Sequence, residues 1–221
     1  YYKAGKYNDA LTYFEKSLKG LKNANNNDKQ SKVFMRTYPD ALIRAADCNF
    51  LIRNYARSMK YYTETIDQKF PGIDYALFQK SILYGLGKNA NANKKIESLK
   101  KLLSNYSWSL YADDASFELA DTYFNSGNYD NAIEHFNNTI INYKGSKHNR
   151  RSLLKLALIF FNKNKLTEAE KYCTDLLDNF PSSEETKEVV HVLKDIYIEK
   201  GDPEGYMALN EKYKDINLSL E

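Results

Sequence analysis

Four sets of residues in this sequence have side chains that chemistry uses. Asp113, Asp114, Glu118 and Asp121 concentrate carboxylates, and the spacing of 114, 118 and 121 puts three of them on one helical face. Neighbouring carboxylates do general acid–base work only when their surroundings push their pKa values apart, and nothing around these suggests a desolvated pocket. His135, His148 and His191 are scattered, each without a second His, Cys or acid at ligand spacing on its own face, so no metal is expected. Gly85-Leu86-Gly87-Lys88 has the glycines and lysine of a phosphate loop. No strand precedes it and no Ser or Thr follows the Lys, which leaves a helix-ending turn. Cys48 and Cys173 lie far apart among apolar residues and fit buried thiols better than a disulfide. The expectation is a chain with no catalytic residues, no cofactor and no enzymatic activity.

The elements that hold these residues repeat. Gly127-Asn128-Tyr129, Asn164-Lys165-Leu166 and Gly201-Asp202 stand 37 residues apart. The helix ends Asn105-Tyr106, Asn142-Tyr143 and Asn179-Phe180 keep the same interval, and Arg53-Asn54-Tyr55 lies 74 residues before Gly127. Leu119-Ala120 with Tyr123, and Leu156-Ala157 with Phe160, line one helical face and put a small residue where a paired helix comes close. Ala132 and Ala169 serve the second helix in the same way, with Phe136 and Cys173 one turn on to fill the layer. Gly or Asn at the turn supplies the positive φ that most residues resist. A fixed period of this size with a helix–turn–helix in each unit is the pattern of an α-solenoid.

These positions carry a family resemblance. Leu119-Ala120, Tyr123, Gly127, Tyr129, Ala132 and Phe136, then Leu156-Ala157, Phe160, Leu166, Ala169, Cys173 and Pro181, resemble the tetratricopeptide repeat family. The first residues, YYKAGKYNDALTYFEKSL, match as well, so the resemblance spans nearly the whole chain. It implies an all-α fold, a right-handed α-solenoid of stacked helix–turn–helix repeats whose first helices line a concave groove. The expected units are a partial one at about 1–21, then 39–69, 73–105, 111–143, 148–180 and 183–214, in one solenoid over 1–221. Residues 22–32 form an inserted polar loop, and 215–221 a tail. Pro39 suits a helix start, and Ser182-Ser183 before Glu184-Glu185 suits an N-cap. The turn at Lys88–Asn93 looks about two residues too long.

The family is defined by packing positions, so it implies protein or peptide partners without naming one. The candidate binding surface is the first-helix side. Asp114, Glu118 and Asp121 make it acidic on one repeat, and Arg151 and Lys155 make it basic on the next. Phe78, Phe117, Phe124 and Phe161 share those faces and are the candidate aromatic anchors, since aromatics dominate binding hot spots. Co-chaperones of this family clamp a C-terminal carboxylate with Lys, Asn and Arg. The groove positions here hold Asp47, Asp121, Leu158 and Asp195, which argues against that ligand. The style of Asn179-Phe180-Pro181-Ser182-Ser183 and Ala112-Asp113-Asp114-Ala115 looks like bacterial cell-envelope repeat proteins. That implies an envelope adaptor, with periplasmic placement and a cytoplasmic alternative.

Composition narrows the rest. The 221 residues carry a net charge of +3 with 28% charged residues, a mixed surface that does not demand a nucleic-acid or membrane partner. Lys94, Lys95, Lys100 and Lys101 face outward on one helix as a solvated face. No apolar run is long enough to span a membrane. The first helix of the leading repeat is cut short at Tyr1, so further repeats or a cap are expected upstream. Two rival classes remain: a nucleic-acid-binding helical repeat, and an accessory domain of a longer enzyme or secretion component.

Overall fold

The computed structural model describes residues 5–23, 32–87 and 90–216. Among them the chain is all α, with eleven helices, a short 3₁₀ turn at Lys214–Ile216 and no strand. The helices are α1 (Tyr7–Lys22), α2 (Lys32–Leu51), α3 (Tyr55–Asp67), α4 (Ile73–Tyr84), α5 (Ala92–Asn105) and α6 (Ala112–Asn125). They continue as α7 (Tyr129–Asn142), α8 (Asn149–Asn162), α9 (Leu166–Asn179), α10 (Glu185–Lys200) and α11 (Pro203–Lys212). Two compact units divide them, Tyr1–Ala115 and Ser116–Glu221, with the boundary inside α6.

In the first unit each helix packs on the next from α1 to α5. Leu42, Ala45, Ala46 and Cys48 of α2, Tyr62 of α3, Ala76 of α4 and Leu99 and Leu102 of α5 are buried. In the second unit α8 packs on α7, α9 and α10, and α11 closes on α10. Its core holds Ala157, Ala169, Cys173, Leu176, Leu193 and Ile196. Phe136 and Cys173 are fully buried, the layer-filling role their spacing predicts. Both cysteines are buried free thiols.

The period is written into the backbone. Arg53, Gly127, Asn164 and Gly201 all take positive φ, at 63°, 73°, 55° and 64°. That left-handed residue ends the first helix, and the next amide returns to a carbonyl five residues back. The bonds are Asn54 to Asn49 at 2.7 Å, Asn128 to Tyr123 at 2.9 Å, Lys165 to Phe160 at 2.9 Å and Asp202 to Tyr197 at 3.1 Å. In the third repeat Asn91 donates to Tyr84 at 2.7 Å, spanning two residues more. Asn91, Asn128 and Asp202 then cap the second helix, accepting the amides of Lys94, Asn131 and Gly205.

Two local expectations are corrected. Pro39 does not start a helix but lies buried inside α2. The helix starts at Lys32 because its extra turns bury Phe34 and Tyr38, whose rings stack at 5.0 Å. That burial offsets the hydrogen bond Pro cannot donate. Ser182-Ser183 does not cap α10 either. The residue before the helix is Glu184, without a side-chain cap, and the Ser183 hydroxyl lies 3.2 Å from that of Thr186. The 22–32 loop is narrowed by α1 ending at Lys22 and α2 starting at Lys32, and its residues 24–31 lie outside the described residues, as do Tyr1–Lys3 and most of the 215–221 tail.

Candidate protein-binding face

In the second unit, α6, α8 and α10 are the first helices of successive repeats. α6 is fixed on α7 by Phe117 and Phe124 against Phe136, at ring separations of 5.8 and 6.5 Å. The Ser116 and Thr139 hydroxyls meet beneath them at 2.8 Å. α10 packs directly against α8. Successive packed helices stand roughly 8–10 Å apart, so residues 37 apart in sequence recur across this face at about that interval.

The structure divides the candidate residues by depth. Phe117 is 2% exposed, its ring stacked on His148 at 4.5 Å, and so belongs to the core. Phe124 and Phe161 are partly exposed. Asp121 accepts a hydrogen bond from Asn125 at 2.8 Å and faces Lys155 across the repeat boundary at 3.9 Å. Lys155 Nζ also stands 4.3 Å from the centroid of Phe124, and the Arg151 guanidinium lies 5.1 Å from that of Phe117. Asp121, Phe124 and Lys155 therefore form one contiguous patch. Glu118 is half-buried on the same helix, and its carbonyl accepts the Thr122 hydroxyl at 2.6 Å. The acidic side of one repeat thus meets the basic side of the next as an ion pair, with an aromatic ring beneath.

Phe78 and Asp114 lie in the first unit. Phe78 stacks on Tyr111 at 5.7 Å, and Tyr111 leans on Tyr75 at 5.2 Å. Burial raises the Tyr111 pKa, and the Asp74, Asp47 and Asp114 charges raise it further. Asp114 is half-buried in the first turn of α6.

One expected groove position turns inward. Asp47 is 7% exposed, and its carboxylate accepts the hydroxyls of Tyr62 at 2.6 Å and Tyr75 at 2.8 Å. Burial, and then the Asp47 charge, push the Tyr62 pKa up. Asp47 is a structural acceptor between α2, α3 and α4. His135 is also less exposed than a surface residue, being stacked on Tyr123 at 5.4 Å. Among the described residues no three His, Cys, Asp or Glu side chains form a metal-binding group.

Sequence reasoning missed Ile198. It follows Phe124 and Phe161 at the same 37-residue interval on the next first helix and is 65% exposed. The period would have found it had apolar residues in general been followed, and not Phe alone. Asp195 and Glu188 stand exposed on the same helix.

A face of first helices repeating every 37 residues defines a helical-repeat protein. Residues 82–147 and 117–184 match the tetratricopeptide repeat family model, so residues 82–184 are tetratricopeptide repeats. Among solved structures it is similar to MamA, at 16% identity and a TM-score of 0.64 over 81% of this chain and 91% of that one. It is also similar to BtubC from P. vanneervenii, at 12% identity and a TM-score of 0.63 over 96% and 91% of the two chains. YrrB, described as a TPR protein with an unusual peptide-binding site, aligns at 12% identity and a TM-score of 0.59 over 80% and 84%. No curated protein sequence matches it.

Proposed function

We propose that this protein is a non-enzymatic interaction scaffold that takes a peptide or helix of a partner protein on the first-helix face of its second unit. The observation that carries the reading is the row Phe124, Phe161 and Ile198, partly or largely exposed at 37-residue intervals and flanked by the Asp121–Lys155 pair. Phe124 and Phe161 each pack inward with part of the ring and leave the rest open, and Ile198 stands largely in solvent, so the row offers rings beside charges that supply both affinity and register to a bound segment. YrrB, a relative in fold, has a peptide-binding site, which agrees with this use of the architecture. The finer reading is an adaptor of the bacterial cell envelope. Its support is the likeness in style of Ala112–Ala115 and Asn179–Ser183 to such proteins, and fractionation of native cells tests it.

The test of the face is Asp121→Lys combined with Lys155→Glu. The swap reverses both charges while keeping the pair, so stability should stay within about 1 kcal/mol. Partner capture from native cells under mild cross-linking should fall sharply. Capture at the parent level would remove this face from the argument.

A further inference from the structure

The connectors between repeats provide an internal control. Three of them, 106–111, 143–148 and 180–185, share one backbone design. Ser109, Ser146 and Ser183 donate their amides to Tyr106, Tyr143 and Phe180 at 2.9, 3.0 and 3.1 Å. Their carbonyls accept the amides of Ala112, Asn149 and Thr186 at 3.1, 3.1 and 3.2 Å. At the two outward positions the later connectors carry Gly145 and Lys147, then Ser182 and Glu184. The first carries Trp108 and Leu110, which are 77% and 89% exposed. Trp108 touches only the edge of Tyr106, at 6.1 Å, among the ring contacts described. The same hydrogen bonds form with polar residues elsewhere, so the fold does not require this apolar pair.

The pair follows the C-terminus of α5, a helix that exposes a lysine stripe, and the acid at the connector, Asp74 of α4, is engaged by the Ser109 hydroxyl at 2.7 Å. Ser98, Leu99 and Leu102 turn α5 inward, while Lys94, Lys100 and Lys101 are exposed. Lys94 and Lys101 are seven residues apart and so share one stripe, which runs toward the connector. Lys80 of α4 joins them: its Nζ and that of Lys94 lie 5.9 and 5.8 Å from the centre of the Tyr84 ring. Asp67 and Glu97 are the acids whose charges reach Lys80. The whole-chain charge of +3 conceals this. Residues 1–115 carry 19 Lys and Arg against 11 Asp and Glu, a net of +8, and residues 116–221 carry 13 against 18, a net of −5.

The geometry points to an anionic lipid surface as the partner of this edge. Trp108 sits at headgroup level, Leu110 enters the acyl boundary, and Lys94 and Lys101 pair with anionic headgroups. A nucleic acid fits less well, because Leu110 offers nothing to a phosphate or a base, and a projecting pair forms no groove of its own for a peptide. The assignment is independent of the first-helix face of the second unit.

Trp108 is the only tryptophan of the chain, so its fluorescence reports this edge alone. Mixed phosphatidylcholine–phosphatidylglycerol vesicles should shift its emission to the blue and shield it from acrylamide, and phosphatidylcholine vesicles should not. Added salt should weaken the binding. Trp108→Ser with Leu110→Lys installs residues that the other connectors already tolerate at Ser182 and Lys147. Helicity should be unchanged and flotation with anionic vesicles should fall at least about tenfold. Lys94→Gln with Lys101→Gln should lower it roughly 25-fold. The Asp121→Lys/Lys155→Glu swap should leave flotation unchanged, which separates this result from that of the peptide face. Emission that stays put with every vesicle, variants that float like the parent, or a shift produced by single-stranded RNA and not by vesicles overturns the assignment.

Discussion

Replacing Asp47 with Ala removes a carboxylate on which two tyrosines converge. The Tyr62 hydroxyl donates to it at 2.6 Å and that of Tyr75 at 2.8 Å, and together they tie α2 to α3 and α4. A hydrogen bond to a charged group contributes about 1.5–3 kcal/mol, and a buried hydroxyl left without an acceptor costs about 1–3 kcal/mol. The two tyrosines differ in what they can recover. Tyr62 is 1% exposed and has no route to water, whereas Tyr75 is partly exposed and regains some hydration. Asp47→Ala should therefore destabilise the protein by about 3–5 kcal/mol. Asp47→Asn keeps one acceptor oxygen and should cost about 1–2 kcal/mol. Urea unfolding followed by circular dichroism reads both values. A cycle with Tyr62→Phe should give a coupling of about 1–3 kcal/mol, because the two groups share one bond. If Asp47→Ala unfolds within about 1 kcal/mol of the parent, the carboxylate is solvated and Asp47 lines an open face after all.

Two further outcomes test the core and the tyrosine contacts. Phe136 is fully buried between Phe117 and Phe124, so Phe136→Ala should cost about 3–5 kcal/mol in the same unfolding assay, and a stable variant would mean the repeat phase is misplaced. Burial and the hydrogen bond to Glu64 push the Tyr38 pKa up to about 12. A raised folded-state pKa means the stabilisation is complete below the ordinary tyrosine value near ~10 and is lost as pH rises through the folded value. Melting temperature should hold to about pH 10 and then fall toward pH 12, and a flat profile to pH 12 would show Tyr38 to be solvated.

The repeat was legible because its determinants are local. Positive φ at Gly127, Asn164 and Gly201, and small residues at Ala132 and Ala169, follow from backbone sterics and close helix approach, which residue type reports directly. Helix starts were less legible. Pro39 looked like a beginning because proline favours the first turn, but the stacked Phe34 and Tyr38 carry α2 further back than that local signal allows. The binding face was legible in its charges and only partly in its anchors. Phe117 and Phe124 share one helix, yet the His148 ring covers one and leaves the other partly open. That difference is set by the neighbouring repeat, which a single helical wheel does not contain. Trp108 was passed over because it stands in a connector, where apolar periodicity gives no signal.

The high tyrosine content has a physical use in this stack. Tyr38, Tyr61, Tyr62 and Tyr75 reach Glu64, Glu15 and Asp47 on neighbouring helices, and Tyr197 and Tyr213 reach Glu170 and Asp178. Each ring fills the gap between helices, while its hydroxyl satisfies a carboxylate that would otherwise be half-desolvated there. A phenylalanine would pack as well and leave the acid without a donor. The acids sit at helix sides where lysine could also reach them, as Lys200 does with Glu170. A lysine, however, loses more rotamer freedom for the same bond. Tyrosine–carboxylate ties thus link helices to neighbours one or two along the chain, adding directional bonds to the apolar packing between repeats. Trp108 breaks this rule: its indole N–H donates no hydrogen bond among those described, and its ring lies in solvent, which is why its position calls for an external surface.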